Sequence, residues 1–177
     1  MNDGQSILIY ILIIVLIIAA VWDLFFHKIP NWLTFPAAAV SVIYHTGLNG
    51  WSAFFFSLEG ICLGVAILLP FYLLGGMGAG DVKLLGTVGG FVGPLGVLFA
   101  FLFTALAGGI YAIIVLAVNG CLKESTLRFK TILTTFLLTG KFIYIPPPAK
   151  EQKLRLLYGI PIAVGTLLAM GFGNSIL

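Results

Sequence analysis

The 177-residue chain is 60% hydrophobic, carries only 8% charged residues and has a mean hydropathy of +1.15. Because ordinary soluble domains contain about 25% charged residues, this composition excludes a soluble globular protein and indicates an integral membrane protein. Lipid cannot pair a bare backbone group, and the long uniform apolar runs lack the alternation of a membrane barrel. We therefore predict an all-α bundle that forms one membrane-embedded domain, residues 1–177.

The membrane spans follow from length, since about 20 apolar residues at about 1.5 Å per residue cross a bilayer. The candidate segments, in chain order, are 4–22, 31–46, 51–74, 82–119 and 156–172. A Gly-Pro-Leu-Gly turn at 93–96 splits the fourth segment, which gives about six transmembrane helices. No cleavage site follows the first span and no positive charge precedes it, so we expect this span to be retained.

The basic residues predict the orientation, because lysine and arginine collect on the cytoplasmic side. Six spans with the N-terminus outside place segments 24–30, 75–83 and 119–155 inside, and these contain all nine lysines and arginines. The net charge of +3 then indicates topology and contact with lipid headgroups, not binding to nucleic acid. Within the cytoplasmic basic loop, 119–155, residues 131–145 lie on the membrane or dip into it; if they span it, the C-terminus changes sides.

Two aspartates interrupt the apolar pattern. Asp23 ends the first span and Asp81 opens the fourth, so the predicted topology places both at the cytoplasmic edge. Charged groups at this depth are expensive and usually functional. Two carboxylates in a low-dielectric site tend to share a proton, so that one acts as a base towards water and the other as an acid towards a carbonyl. The alternative is two solvated helix-end residues, with Asp81 as a helix N-cap.

The glycine-rich stretch GMGAGDVKLL at 76–85 resembles the GxGD signature of the type IV prepilin peptidases. In that family the first aspartate ends a helix and is followed by a basic residue and an Ile-Pro-Asn turn; here Asp23 is followed by Lys28, Ile29, Pro30 and Asn31. The stretch YGIPIAVG at 158–165 is similar to the start of the family's last helix, with Leu157 in place of its usual proline. The three motifs cover nearly the whole chain.

The resemblance implies a multi-pass aspartic endopeptidase of the bacterial inner membrane that removes the leader of prepilins and pseudopilins at the cytoplasmic face. Asp23 and Asp81 would be its catalytic pair, and the reaction would need no cofactor and no metal. The resemblance does not indicate an oligomeric state. Longer family members carry paired CxxC motifs and methylate the new N-terminus. Here the only cysteines are Cys62 and Cys121, too far apart for a disulfide or metal site. The chain resembles the short, peptidase-only branch typical of Flp/Tad pilus systems, so we expect cleavage without N-methylation.

The stretches around the aspartates also supply candidate substrate-binding residues. Glycines before the fourth span permit unusual backbone angles and leave room for an extended substrate strand beside Asp81. Lys83 matches the family motif but, two positions along a helix, faces away from Asp81, and an interfacial anchor is its alternative role. The candidates are Gly76, Gly78, Gly80, Lys83, Lys28, Pro30 and Asn31.

Other polar and small residues are assigned structural roles. Glu59 lies about 24 Å along a helix from the edge that holds the aspartates, so we expect a buried pair or a lumen-facing residue there. The pairs Gly86/Gly90 and Gly89/Gly93 have the spacing that lets membrane helices touch. We expect all four to pack against neighbouring helices.

Three rival functions remain open at this point. Another GxGD peptidase, such as a preflagellin-type enzyme, shares the same motif. A small transporter or proton channel would hold carboxylates near the midplane along a path. A structural pilus-assembly component would need no pair of carboxylates.

Overall fold

The computed structural model describes residues 3–140 and 157–172, and every element of regular structure in these two ranges is a helix. The helices are α1 (Asp3–Phe26), α2 (Asn31–Asn49), α3 (Trp51–Leu73), α4 (Ala79–Val118), α5 (Leu122–Thr139) and α6 (Gly159–Phe172). Within these described residues, three stretches are long and apolar enough to cross a membrane, namely Ser6–Phe26, Trp51–Leu73 and Ala79–Val118, and α6 is a shorter apolar helix. The predicted all-α membrane protein of about six helices is confirmed.

The described residues divide into two compact units, residues 3–108 with 157–172 and residues 109–140. In the second unit, α5 ends at Gly140, which takes a left-handed conformation with φ 64°. The helix α5 covers the first part of the predicted basic loop, 119–155, and of segment 131–145. This part of the loop is helical. Residues 141–156, with Lys141, Lys150, Lys153 and Arg155, lie outside the described residues. The single domain, the external N-terminus and the cytoplasmic side of 119–155 stay predictions.

The helix α4 is broken at the predicted turn. Gly93 adopts φ 74° and ψ −177°, a conformation that favours glycine, and the next residue is Pro94, which has no N–H to donate. The break divides α4 into a first arm, residues 79–92, and a second arm, residues 94–118. Because Gly90 would normally accept a hydrogen bond from residue 94, the break leaves its carbonyl without the usual partner.

Side chains from α2 and α3 hydrogen-bond the carbonyls that this break frees. The Ser57 hydroxyl donates to the Gly90 carbonyl at 2.8 Å, and His45 Nε2 donates to the Phe91 carbonyl at 3.1 Å. Ser41 Oγ lies 3.4 Å from Ser57 Oγ, and both serines are fully buried. The polar groups therefore compensate for an interrupted helix inside an apolar bundle, as a break at membrane depth requires.

Small residues bring α3 against the first arm of α4. A Cβ added to Gly60 would meet the Gly89 carbonyl, and one added to Gly64 would meet the backbone at 85–86. The predicted packing role of the glycines in this arm is confirmed, since added Cβ atoms would each meet a neighbouring helix at Gly86, Gly89, Gly90 and Gly93. The pairing 60 with 89 and 64 with 85–86 makes the two helices antiparallel.

The second arm of α4 packs against α6 in the same manner. An added Cβ on Gly165 would meet Thr104, and one on Gly108 would lie 3.6 Å from Pro161, so these segments are also antiparallel. The helix α1 contacts both α6 and α2. The core between the helices is aliphatic, and its fully buried side chains include Leu12, Leu16, Leu84, Leu85 and Ile162.

The Ser57 hydrogen bond predicts a stability effect. Ser57→Ala leaves the Gly90 carbonyl unpaired in an apolar environment, which costs about 1–3 kcal/mol of unfolding free energy. The melting temperature of the detergent-solubilised protein should fall. Ser52→Ala is the matched control, because the Ser52 hydroxyl is exposed in its contact with the Asn49 carbonyl. Equal melting temperatures for the two variants would contradict the role given to Ser57.

Candidate active site

Asp23 lies in the last turn of α1, three residues before the helix ends at Phe26. The His27 N–H donates to the Asp23 carbonyl at 2.8 Å and closes that turn. His27 then takes φ 53°, an uncommon conformation for a residue with a side chain, which redirects the chain towards α2. The helix is thus longer than the predicted span 4–22, and Asp23 belongs to it.

Asp81 lies in the first turn of α4, and the chain reaches it through a tight glycine-rich connection. The Gly76 N–H donates to the Phe71 carbonyl at 2.9 Å and Gly75 takes φ 75°, which ends α3. The Asp81 carboxylate then accepts the Gly78 N–H at Oδ2, at 3.0 Å. Because Gly78 immediately precedes α4, this is the side-chain half of a capping box. The N-cap alternative for Asp81 is wrong: Asp81 is the third helical residue.

The carboxylate of Asp23 is held from the other end of the chain. Its Oδ2 accepts the N–H of Gly159 at 3.0 Å, and the two residues are separated by 136 positions in sequence. Gly159 is the first residue of α6, where backbone N–H groups have no partner within their own helix. Each aspartate therefore has one carboxylate oxygen bonded to the amide of a glycine that borders a helix start.

The two aspartates lie in one site. Their residues are only 6% and 7% exposed, and their carboxylates interact electrostatically. The half-buried Tyr158 interacts electrostatically with Asp81, and the adjacent residue, Gly159, bonds Asp23. The end of α1, the start of α4 and the start of α6 therefore converge. Two buried carboxylates at such a junction can share one proton, since both cannot readily ionise in a low dielectric.

The glycines of the GxGD stretch have close neighbours within the chain. A Cβ on Gly80 would lie 2.9 Å from Ile29 Cβ and 3.2 Å from the Ile29 N. A Cβ on Gly78 would lie 3.2 Å from Asp81 Oδ2, and one on Gly76 would lie 3.4 Å from the Phe71 carbonyl. The space beside Gly80 thus holds the α1–α2 connection, which explains this glycine by packing. A substrate-binding role for the three glycines stays a prediction.

Four of the predicted substrate-binding residues lie at the α1–α2 connection or bond to it. The Lys83 ammonium donates to Asn31 Oδ1 at 2.9 Å and lies 5.1 Å from the centroid of the Phe35 ring. Lys83 therefore ties the first arm of α4 to the start of α2. Pro30 precedes α2 in an extended conformation, and Lys28 is exposed. A substrate role for these four residues stays a prediction.

Besides Tyr158, His27 interacts electrostatically with one of the aspartates, Asp23. Glu59 and the two cysteines are the other candidate side chains. Glu59 is exposed on α3, so the buried-pair alternative for this residue is wrong. Cys62 is exposed and Cys121 is buried, and both are free thiols. Among residues 3–140 and 157–172, no cluster of three histidine, cysteine, aspartate or glutamate side chains could hold a metal ion.

Sequence reasoning assigned no site role to Gly159. Its contact with Asp23 joins positions 23 and 159 through a backbone amide, and neither periodicity nor composition reports such a contact. The signal that was present is the YGIP stretch at 158–161, where a glycine and a proline open an apolar segment.

Comparison with known proteins gives two matches. Residues 10–113, which include both aspartates, match the type IV leader peptidase family. The chain is also 30% identical over 174 residues to the prepilin leader peptidase/N-methyltransferase of Bacillus subtilis (strain 168). That alignment covers 94% of this chain and 56% of the relative, so the chain spans about half the length of the curated relative it matches. No solved structure matches the chain.

The close approach of Gly80 to Ile29 predicts that this glycine is required for packing of the helices. Gly80→Ala should lower the melting temperature of the detergent-solubilised protein, since overpacking costs about 1–3 kcal/mol. Gly47→Ala is the control, because nothing lies within 4 Å of an added Cβ there. An unchanged melting temperature for Gly80→Ala would contradict the packing role given to this glycine.

Proposed function

The chain belongs to the type IV leader peptidase family, and we propose that it is a membrane aspartic endopeptidase that cleaves the leader from prepilins and pseudopilins. The observation that carries this proposal is the pair of buried, electrostatically interacting carboxylates of Asp23 and Asp81. They come from separate helices, and both lie within the region that matches the family.

The proposed reaction uses the two carboxylates in complementary protonation states. The ionised carboxylate takes a proton from a water molecule, whose oxygen attacks the scissile carbonyl carbon, while the protonated carboxyl donates its proton to the carbonyl oxygen. The tetrahedral intermediate then collapses: one of its hydroxyl groups returns a proton to the carboxylate that had donated one, the C–N bond breaks, and the leaving amine takes up the proton that the other carboxyl had removed from water. The N–H groups of Gly78 and Gly159 each hold one oxygen, Oδ2, of a carboxylate, which leaves Oδ1 of each aspartate to act on water and substrate.

We place this site at the cytoplasmic face of the bacterial inner membrane. The support is the distribution of lysine and arginine, all nine of which fall in segments 24–30, 75–83 and 119–155. The same distribution makes lipid headgroups the expected partner of the basic loop, and not nucleic acid. With respect to pilus type, we propose a Flp/Tad system, because Cys62 and Cys121 do not form the paired CxxC motifs of the methylating family members.

The location of the aspartates favours a peptidase over a transporter or channel. A transport path needs carboxylates distributed towards the midplane, whereas Asp23 and Asp81 lie in the last turn of α1 and the first turn of α4. The remaining candidate is another GxGD peptidase, such as a preflagellin-type enzyme. Parallel assays with a prepilin and a preflagellin separate the two, and selective processing of the preflagellin would contradict our assignment.

We further propose that this chain cleaves without N-methylation. The two cysteines present, Cys62 and Cys121, are far apart in sequence, so they do not form the paired CxxC motifs of the longer family members.

Mass spectrometry tests the absence of methylation. The purified 177-residue protein, incubated with a prepilin and S-adenosylmethionine, should yield a mature chain with a free N-terminal amine, and chelators should leave cleavage intact. A methylated product made by this protein alone would contradict cleavage without N-methylation. Loss of cleavage on chelation would contradict a reaction without a metal.

The aspartate pair predicts strongly non-additive variants. Asp23→Asn and Asp81→Asn keep the shape of the side chain but cannot exchange the proton, so each should reduce processing by at least about 10³-fold. The double variant should be no worse than either single variant, because the residues act as one unit. The measurement is the size shift of a co-expressed prepilin, with expression and membrane insertion checked by immunoblot.

Glu59→Gln is the control for these substitutions. Glu59 is an exposed carboxylate on α3, away from the aspartates, so this variant should process prepilin at close to the unaltered rate. Robust processing by either single aspartate variant would remove the aspartic mechanism.

A further inference from the structure

Gly159 donates a hydrogen bond to the Asp23 carboxylate and also lies so close to this side chain that it leaves no room for a Cβ. Its N–H donates to Asp23 Oδ2 at 3.0 Å in a buried hydrogen bond. The second contact is steric: a Cβ added to Gly159 would lie 2.9 Å from Oδ2, 3.0 Å from Cβ and 3.2 Å from Cγ of the aspartate. These separations are shorter than ordinary carbon contacts, so a larger residue would require the Asp23 side chain, or the start of α6 that bonds it, to shift.

Asp81 is held differently, although its partner is also a glycine amide. Gly78 lies three residues before Asp81, so this hydrogen bond is complete once the first turn of α4 has formed. The partner of Asp23 lies 136 positions away, at the first residue of α6. The orientation of Asp23 therefore depends on the docking of α6, whereas that of Asp81 is determined within α4.

Building on the proposed function, we propose that Gly159 is a positioning residue for Asp23. Its amide fixes Oδ2, its missing side chain leaves the carboxylate in place, and the start of α6 thereby completes the catalytic pair. The residue does not touch the scissile bond, so its effect passes through Asp23. Residues 10–113 match the family, and Gly159 lies outside them.

The expected kinetic effect is a loss of kcat. In Gly159→Ala the N–H is retained, but the methyl group would move the carboxylate, and a displacement of about 1 Å can cost about 10²-fold in rate. Because substrate binding does not involve this methyl group, KM should stay within about twofold, as it does when only the transition state is affected.

Two other glycines of α6 provide matched controls. An added Cβ on Gly171 would have nothing within 4 Å, whereas one on Gly165 would meet the backbone and side chain of Thr104. Gly171→Ala should therefore have the kinetics and melting temperature of the unaltered protein. Gly165→Ala should lower the melting temperature, since it separates α6 from the second arm of α4.

The kinetic experiment compares the full-length variants in proteoliposomes with a prepilin substrate. We expect Gly159→Ala to lose about 10²-fold in kcat at unchanged KM. If its kcat equals that of Gly171→Ala, or if KM rises while kcat holds, the positioning role is wrong. Asp23→Asn is measured in parallel: if that variant is active, the proposed function fails, and this outcome is distinct from a failure of Gly159 alone.

A second measurement does not depend on Gly159→Ala folding or on activity. In protein labelled with ¹⁵N-glycine, the Gly159 amide resonance should shift in Asp23→Asn, because its acceptor changes from a carboxylate to an amide oxygen. The Gly78 resonance should shift in Asp81→Asn for the same reason, and Gly171 should shift in neither. A Gly159 resonance that is insensitive to Asp23→Asn would overturn the proposal.

Discussion

Two like-charged groups buried at one junction of helices constrain the rest of this molecule. Burial of a carboxylate is expensive unless it is hydrogen-bonded or neutralised, and a second carboxylate nearby increases the cost. The chain meets this requirement with backbone amides: Gly78 bonds Asp81 and Gly159 bonds Asp23. Both donors border helix starts, where N–H groups are free and the helix dipole favours negative charge.

The helices are arranged so that these ends can meet. Contacts between Gly60 and Gly89 bring α3 against the first arm of α4, which leads the chain away from Asp81. The break at Gly93 then starts the second arm, which packs on α6 near Thr104 and Gly108. Since Tyr158 lies near Gly108 and interacts electrostatically with Asp81, the second arm returns towards the site that the first arm left. The break is compatible with an apolar bundle because Ser57 and His45 bond the freed carbonyls.

Much of this architecture could be predicted from the sequence, because the signals are local. Apolar length indicated the helices, the Gly-Pro pair at 93–94 indicated the break in α4, and avoidance of charge elsewhere singled out Asp23 and Asp81. The role of Gly80 could not be predicted, since its reason is the proximity of Ile29. Gly159 was missed for the same cause: contacts between residues distant in sequence are made by packing, and a single sequence contains no record of them.

If the end of α1 and the start of α4 hold their carboxylates together, side chains at positions 23 and 81 should be close enough to be cross-linked. In a variant without Cys62 and Cys121, cysteines would replace Asp23 and Asp81, and a protease site would be inserted between Asn49 and Gly50. After treatment of membranes with a short bifunctional thiol reagent and then protease, the two fragments should stay joined. The pair Asp23→Cys with Ser52→Cys should separate, because Ser52 lies about 32 Å along α3 from its end near α4. Separation of the 23/81 fragments at the same yield as this control would show that the two carboxylates do not lie in one site.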